Sequence, residues 1–176
     1  MIAGITSAEA PLNVKIARAA SAERMHAEVM KEIDNATVFI GAAAVSDYRP
    51  VKRADSKIKK SASELSLALE PTPDILAEVA TAARNSLLVF GFAAETGDLI
   101  ENARQKLVSK KLDVIVANDI TREGAGFDVD TNIITLLKHN DERPVELPLM
   151  SKLDSAHRIL DEVVNLRRTR SKTAGN

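Results

Sequence analysis

Apolar residues recur along this chain in two alternating rhythms. Unbroken runs such as Val38-Phe39-Ile40, Leu87-Leu88-Val89-Phe90 and Val114-Ile115-Val116 read as strands buried on both faces. Between them, apolar positions return every three or four residues, as on one side of a helix. The spacing predicts buried strands over 37–45, 87–93 and 112–117. Helices are expected from a Ser21 cap to about 35, over 72–84, over 98–111, and from a Ser151 cap onwards. Met25, Val29 and Ile33 form the inner stripe of the first, and Ile100, Ala103 and Leu107 that of the third. Leu153, Ala156, Leu160, Val163 and Val164 form the stripe of the last. Thr72-Pro73-Asp74 has the order of a helix start: Thr as cap, Pro at the first helical position, Asp against the positive end of the dipole.

Weaker signals fill the gaps. Residues 1–4 read as the end of a strand and 15–18 as extended. Leu65, Leu67 and Leu69 alternate with Ser66 and Ala68, the mark of a half-exposed strand. Strands over 131–138 and 145–147 flank the charged turn His139-Asn140-Asp141-Glu142-Arg143. Residues 121–130, with Gly124 and Gly126, read as a loop, and 167–176 as a basic, flexible tail. No internal repeat is visible. The alternation of strand and helix gives an α/β class: a Rossmann-like parallel sheet flanked by helices, with antiparallel strands at its edge, in a single domain over 1–176.

Composition narrows the partners. A formal net charge of -1 gives no global field toward nucleic acid or membrane. With no Trp and one Tyr, the chain lacks a stacking platform for single strands. The absence of Cys excludes thiolate chemistry and disulfides and fits a reducing compartment. No apolar run approaches the roughly 20 residues that span a bilayer, and no basic segment precedes an apolar core at the start. A cytoplasmic protein is the expectation.

Histidine offers little chemistry, because His26, His139 and His157 show no metal-ligand spacing. Neither Gly-x-Ser-x-Gly nor a Gly-x-Gly-x-x-Gly fingerprint nor a phosphate loop is present. The missing fingerprint weighs against a dinucleotide oxidoreductase, which the alternation alone would suggest. Cations are the better lead. Lys57-Ile58-Lys59-Lys60 follows a strand that ends in Gly41-Ala42-Ala43-Ala44-Val45 and continues into Ser46-Asp47-Tyr48-Arg49-Pro50. Lys106 and Lys110, four apart, share one helical face, where like charges repel unless an anion lies between them. Each group alone also reads as a solvated surface. Together with Asp47 they read as a polyphosphate site, the lysines neutralising the anion and the carboxylate helping to hold its divalent cation.

The same residues carry a resemblance. Gly41 to Pro50 as quoted, Lys57-Ile58-Lys59-Lys60-Ser61, Pro71-Thr72-Pro73-Asp74-Ile75-Leu76, Gly91-Phe92-Ala93-Ala94-Glu95-Thr96, Ala103-Arg104-Gln105-Lys106 through Lys110, and Ala117-Asn118-Asp119 occur in this order. In this they closely resemble bacterial phosphopantothenate–cysteine ligase, the synthetase half of the bifunctional coenzyme A biosynthesis protein. The resemblance implies a CTP-dependent ligation of 4′-phosphopantothenate to L-cysteine through an acyl-cytidylate, with Mg2+ accompanying CTP. It implies that Gly41, Ala42, Ala43, Asp47, Lys57, Pro73, Asp74, Ile75, Leu76, Phe92, Lys106 and Lys110 contribute to the CTP site. Lys57 is the catalytic candidate, on a flap, and Asp47 the candidate metal contact, through bound nucleotide. Phe92 reads equally as a nucleotide contact and as a core aromatic. A homodimer is implied too, as is a decarboxylase domain elsewhere in the full-length protein, without flavin in this chain. In the family a strand, a glycine-rich loop and a helix precede the strand that aligns with residues 1–4, so that first unit is expected to be lacking here. The alternative is a nucleotide-binding module without catalysis.

Overall fold

The computed structural model describes residues 1–6, 9, 11–52, 54, 56–59, 65–82, 87–95, 97–126 and 129–173. Its elements are β1 (Ile2–Ala3), β2 (Ala17–Arg18), α1 (Ala22–Glu32), β3 (Val38–Gly41), β4 (Tyr48–Pro50), β5 (Leu69–Pro71), α2 (Ile75–Ala82) and β6 (Leu88–Glu95). They continue as α3 (Leu99–Ser109), β7 (Val114–Asp119), β8 (Thr131–Asn132), β9 (Ile134–Lys138), β10 (Asp141–Glu146), β11 (Met150–Ser151) and α4 (Lys152–Thr173). The chain divides into two compact units: Met1–Asp34 with Ala43–Ile75, and Asn35–Ala42 with Leu76–Asn176. The division follows the ladders. β1 pairs with β2 and β4 with β5, each pair separate from the five-stranded sheet of the second unit.

That sheet runs in the order β10-β9-β7-β6-β3. The three apolar runs are its parallel neighbours, β3 on β6 and β6 on β7, and β9 and β10 add antiparallel strands beyond β7. The class is as expected: Rossmann-like α/β with antiparallel edge strands. Pro144 lies in β10, an outer strand, where the register also shifts between Asp141 and Val145. An outer strand tolerates both the missing donor and the bulge.

Strand alternation sends successive side chains to opposite faces. Leu88 and Phe90, with Val114, Val116, Ile134 and Leu136, pack against Ile159 and Val163 of α4. On the other face, Gly41 and Gly91 stand in register on β3 and β6, beneath Leu76 at the start of α2. A Cβ on Gly91 would fall 2.6 Å from a Leu76 methyl and 2.9 Å from a Leu112 methyl. The paired glycines form the notch that lets α2 start close against the sheet. Ala103 and Leu107 of α3, both fully buried, complete this face.

Several expectations need correction. The strand predicted over 37–45 ends at Gly41 and is only half-buried, with Ile40 37% exposed, because β3 has one neighbour. Of the strand predicted over 65–69 only Leu69 pairs, with Pro50 of β4 rather than with the large sheet. Ile100 is exposed, and α4 buries Ser155, Ile159 and Val163 while Leu153, Leu160 and Val164 stay exposed. Thr72 does not cap α2: its hydroxyl donates to the Ser46 carbonyl at 2.5 Å. The Ser21 and Ser151 caps are present, accepting from Arg24 N at 3.3 Å and Asp154 N at 2.9 Å. The expected tail from 167 remains helical to Thr173, and within it Arg170 donates to the Leu87 carbonyl at 3.0 Å and to the Asp113 carboxylate. The other Asp113 oxygen accepts from Val89 N at 2.8 Å, so one carboxylate joins β6, β7 and α4.

Candidate functional site

The carboxyl ends of β6 and β7 carry the most organised polar cluster of the second unit. Glu95 closes β6, opposite Asp119 of β7, and its side chain is only 16% exposed. One of its oxygens accepts from Lys106 Nζ at 2.5 Å. The other lies 3.4 Å from Asn102 Nδ2, which also donates to the Gly97 carbonyl at 3.0 Å. Lys106 and Asn102 both come from α3, so this carboxylate ties the helix to the strand it follows. Lys106, which shares a helical face with Lys110, thus has an anionic partner within the protein in Glu95. Neither residue type nor local periodicity signals that pairing, because the β6–α3 turn creates it.

At the end of β7, Asn118 is buried and its Nδ2 donates to the Ala125 carbonyl at 3.0 Å, holding the loop that follows. Its Oδ1 is buried without a partner among the described residues. Gly124 adopts φ 81° in that loop, and its carbonyl accepts from the Thr131 hydroxyl at 2.7 Å. Asp119 accepts from the Thr121 hydroxyl at 2.6 Å and from Thr121 N at 3.0 Å. Those two bonds, the hydroxyl first, hold its carboxyl below the usual range.

Of the site residues named from sequence, Gly41, Ala42, Leu76, Phe92, Lys106 and Lys110 belong to the second unit. Gly41 and Leu76 meet in the glycine notch. Lys106 pairs with Glu95 on the same sheet face, since Glu95 and Gly91 are an even number of residues apart on β6. Phe92 does not join them. It projects to the opposite face, half-buried against the α4 side of the core. Lys110 is half-buried and ends α3, its N–H donating to the Lys106 carbonyl at 3.0 Å.

Ala43, Asp47, Lys57, Pro73, Asp74 and Ile75 belong to the first unit. Asp47 is exposed, and its carbonyl accepts from Thr72 N at 2.9 Å, which fixes the segment before β4 against the one before α2. Ile75 is buried while Asp74 is exposed. Lys57 and Lys59 are exposed in the connection between β4 and β5, whose base is closed by Val51 N donating to the Ala68 carbonyl at 3.0 Å. Lys60 and Ser61 lie outside the described residues. A cavity of about 610 Å³ opens between the first turn of α1 and residues 43–50, with Ser21, Met25, Ala43 and Tyr48 in its wall. Arg49, on its rim, donates to Glu23 of α1 and to Glu70 of β5, the latter at 2.8 Å. The Arg49 hydrogen bond draws the Glu23 carboxyl down to about 2. No group of three or more acidic or His side chains among the described residues has the geometry to hold a metal ion. No helix among them is long and apolar enough to cross a membrane.

Comparison with known proteins agrees with the sequence motifs. The family model described as the DNA/pantothenate metabolism flavoprotein C-terminal domain matches residues 1–166. The chain is similar to the coenzyme A biosynthesis bifunctional protein CoaBC of Vibrio vulnificus strain YJ016, 39% identical over 94% of this chain and 41% of the relative. The protein of that name from Bacillus subtilis strain 168 is 44% identical over 83% of this chain and 36% of the relative. The chain thus spans about two fifths of the length of these relatives. A crystal structure of the C-terminal domain of CoaBC superposes with a TM-score of 0.77 at 32% identity, covering 96% of this chain and 74% of that one. A Cab2 mutant in complex with phosphopantothenate-cysteine shares the fold, with a TM-score of 0.70 at 14% identity over 92% of this chain and 55% of that one. The chain therefore belongs to the DNA/pantothenate metabolism flavoprotein C-terminal domain family, the family of the synthetase domain of the bifunctional coenzyme A biosynthesis proteins.

Proposed function

We propose that this chain forms the ligase part of a coenzyme A biosynthesis enzyme, joining 4′-phosphopantothenate to L-cysteine at the expense of CTP. The observation that carries the reading is 39–44% identity to the bifunctional proteins over most of the chain. A carboxylate does not acylate an amine unaided. In the proposed reaction it attacks the α-phosphate of CTP, pyrophosphate leaves, and an acyl-cytidylate forms. The cysteine amine then attacks the activated carbonyl, loses a proton and expels CMP. Both steps build negative charge around phosphate, where fixed cations are most effective. Lys106 and Lys110 are the proposed nucleotide contacts and Lys57 the proposed catalytic cation. Mg2+ is proposed to arrive with CTP, Asp47 reaching it through the bound nucleotide. The 610 Å³ cavity of the first unit falls in the usual size range of small-molecule sites and suits the pantothenate arm.

Thermal melting tests the nucleotide. A ligand that binds only the folded state stabilises it by mass action, so CTP with Mg2+ should raise the melting temperature more than ATP or GTP at equal concentration. Equal shifts for the three would reduce the site to a generic polyphosphate surface.

The partner proposal is a homodimer in a cytoplasmic enzyme, with the decarboxylase domain elsewhere in the complete protein. Tyr48, Val51, Ile58, Leu65, Leu67 and Leu69, all more than 45% exposed, gather on the β4–β5 pair and its connection. That is more apolar surface than a short exposed ladder carries without a partner. Sedimentation at micromolar concentration should give a dimer, and Leu67→Asp should shift it toward monomer. A wild-type chain that sediments only as monomer would rule the dimer out.

A further inference from the structure

We infer that Glu95 is a positioning residue for the nucleotide: its carboxylate holds the Lys106 ammonium where its remaining N–H groups meet the polyphosphate. The inference rests on the proposed CTP reading and adds to it a residue that the sequence motifs leave without a role.

The geometry is asymmetric in a way that suits this task. Glu95 is the fixed partner. Its side chain is 16% exposed, against 45% for Lys106. Its strand is paired with β7 to the last residue, and its carbonyl accepts from Ile120 N at 3.2 Å. Both carboxylate oxygens are engaged, one by Lys106 at 2.5 Å and one by Asn102 at 3.4 Å. Asn102 is itself held by the Gly97 carbonyl. Lys106 is the more exposed partner, a charge on a four-carbon stem with three donors. One donor goes to Glu95, which leaves others for phosphate oxygens. An unanchored lysine would lose its rotamer freedom only on binding, whereas this one has lost it in advance.

A competing account uses the same contact with the opposite sign. If Glu95 merely neutralised Lys106, it would repel a triphosphate, and removing its charge would tighten CTP binding. Positioning predicts the reverse, so the direction of one change decides between the two.

The test is calorimetric titration of CTP with Mg2+ into this chain and into Glu95→Gln, Glu95→Asp, Lys106→Gln and the double variant Glu95→Gln/Lys106→Gln. Gln keeps the size of Glu95 and its capacity to accept from Asn102 while removing the charge. Glu95→Gln should weaken CTP binding about tenfold, the equivalent of about 1.4 kcal/mol. Lys106→Gln should weaken it by a similar factor, and the double variant should bind no more weakly than Lys106→Gln alone, because both changes remove one unit. A merely structural role would not produce that coupling: its effect would persist in the Lys106→Gln background. Glu95→Asp keeps the charge but draws the ammonium back by one methylene, so it too should weaken binding. That variant decides the matter if Glu95→Gln does not fold. Glu95→Gln or Glu95→Asp binding as tightly as wild type or tighter, or single effects that multiply in the double variant, would overturn the positioning role alone. A wild-type chain that takes up no CTP, or Lys106→Gln binding like wild type, would overturn the nucleotide reading and this inference with it.

Discussion

Lys57→Gln is expected to lower turnover by about a hundredfold, close to 3 kcal/mol for one electrostatic contact to the transition state, while CTP affinity falls by only a few-fold. The difference follows from where the lysine stands. Lys57 is exposed on the connection that leaves β4 at Pro50 and returns at Leu69, closed at its base by the bond from Val51 to Ala68. Under the proposed function, a cation on this connection is expected to contact phosphate mainly as charge develops, which affects turnover more than ground-state binding. Lys106 stands on a helix and is already fixed by Glu95. On the proposed reading its loss is expected to act in the ground state, as weaker CTP binding. The comparison follows pyrophosphate release in single turnovers beside a CTP titration of wild type and variants. Wild-type turnover in Lys57→Gln would remove Lys57 from the chemistry and leave it a solvated lysine.

Phe90→Ala should cost about 3–5 kcal/mol of stability, a large part of the 5–15 kcal/mol that holds a typical domain folded. Phe90 is fully buried at the centre of the cluster that joins β6, β7, β9 and α4, and nothing nearby can fill its volume without leaving the sheet. Phe92, two residues on and on the same face, packs at the margin of that cluster and is half-buried. Phe92→Ala should cost about 1–2 kcal/mol, in the ordinary range for a partly buried side chain. Urea denaturation of the two variants gives both numbers, and a CTP titration of Phe92→Ala separates its two readings. A core aromatic changes only the urea midpoint, whereas a nucleotide contact also weakens CTP binding. Equal losses for the two variants would place Phe92 as deep in the core as Phe90 and contradict the packing described.

The parts of the fold that depend on neighbours in sequence were legible. Ser21 and Ser151 cap their helices because a cap bonds three residues along. The short continuous runs of β6 and β7, rich in β-branched and aromatic residues, read as strands covered on both faces, and they are strands. What was illegible depends on distant partners. Thr72 looks like a cap until Ser46, far behind it in sequence, offers a carbonyl. On α4 the stripe expected from the sequence runs through Leu153, Ala156, Leu160, Val163 and Val164, and a second with helical spacing runs through Ser155, Ile159 and Val163. The sheet chooses the second although it includes a serine. The site divides the same way. Lys57, Lys106 and Lys110 stand out as clustered charge, but the partner of Lys106 is set by the β6–α3 turn. Glu95 stands in the sequence only as a member of the Gly91–Thr96 motif, with nothing to mark it as the partner of Lys106.

The pairing of β3 with β6 bears on how the chain is made. Val38 lies opposite Leu88, about 50 residues later, and among the described residues β3 has no other neighbour in the sheet. At a synthesis rate of about 5–20 residues per second, β3 leaves the ribosome roughly 2–10 s before β6. In that interval the intervening residues 43–75 can complete the first unit, whose other part, Met1–Asp34, has already emerged. The sheet of the second unit therefore begins with a strand that waits, and Val38-Phe39-Ile40 is a segment open to a nascent-chain chaperone during that interval.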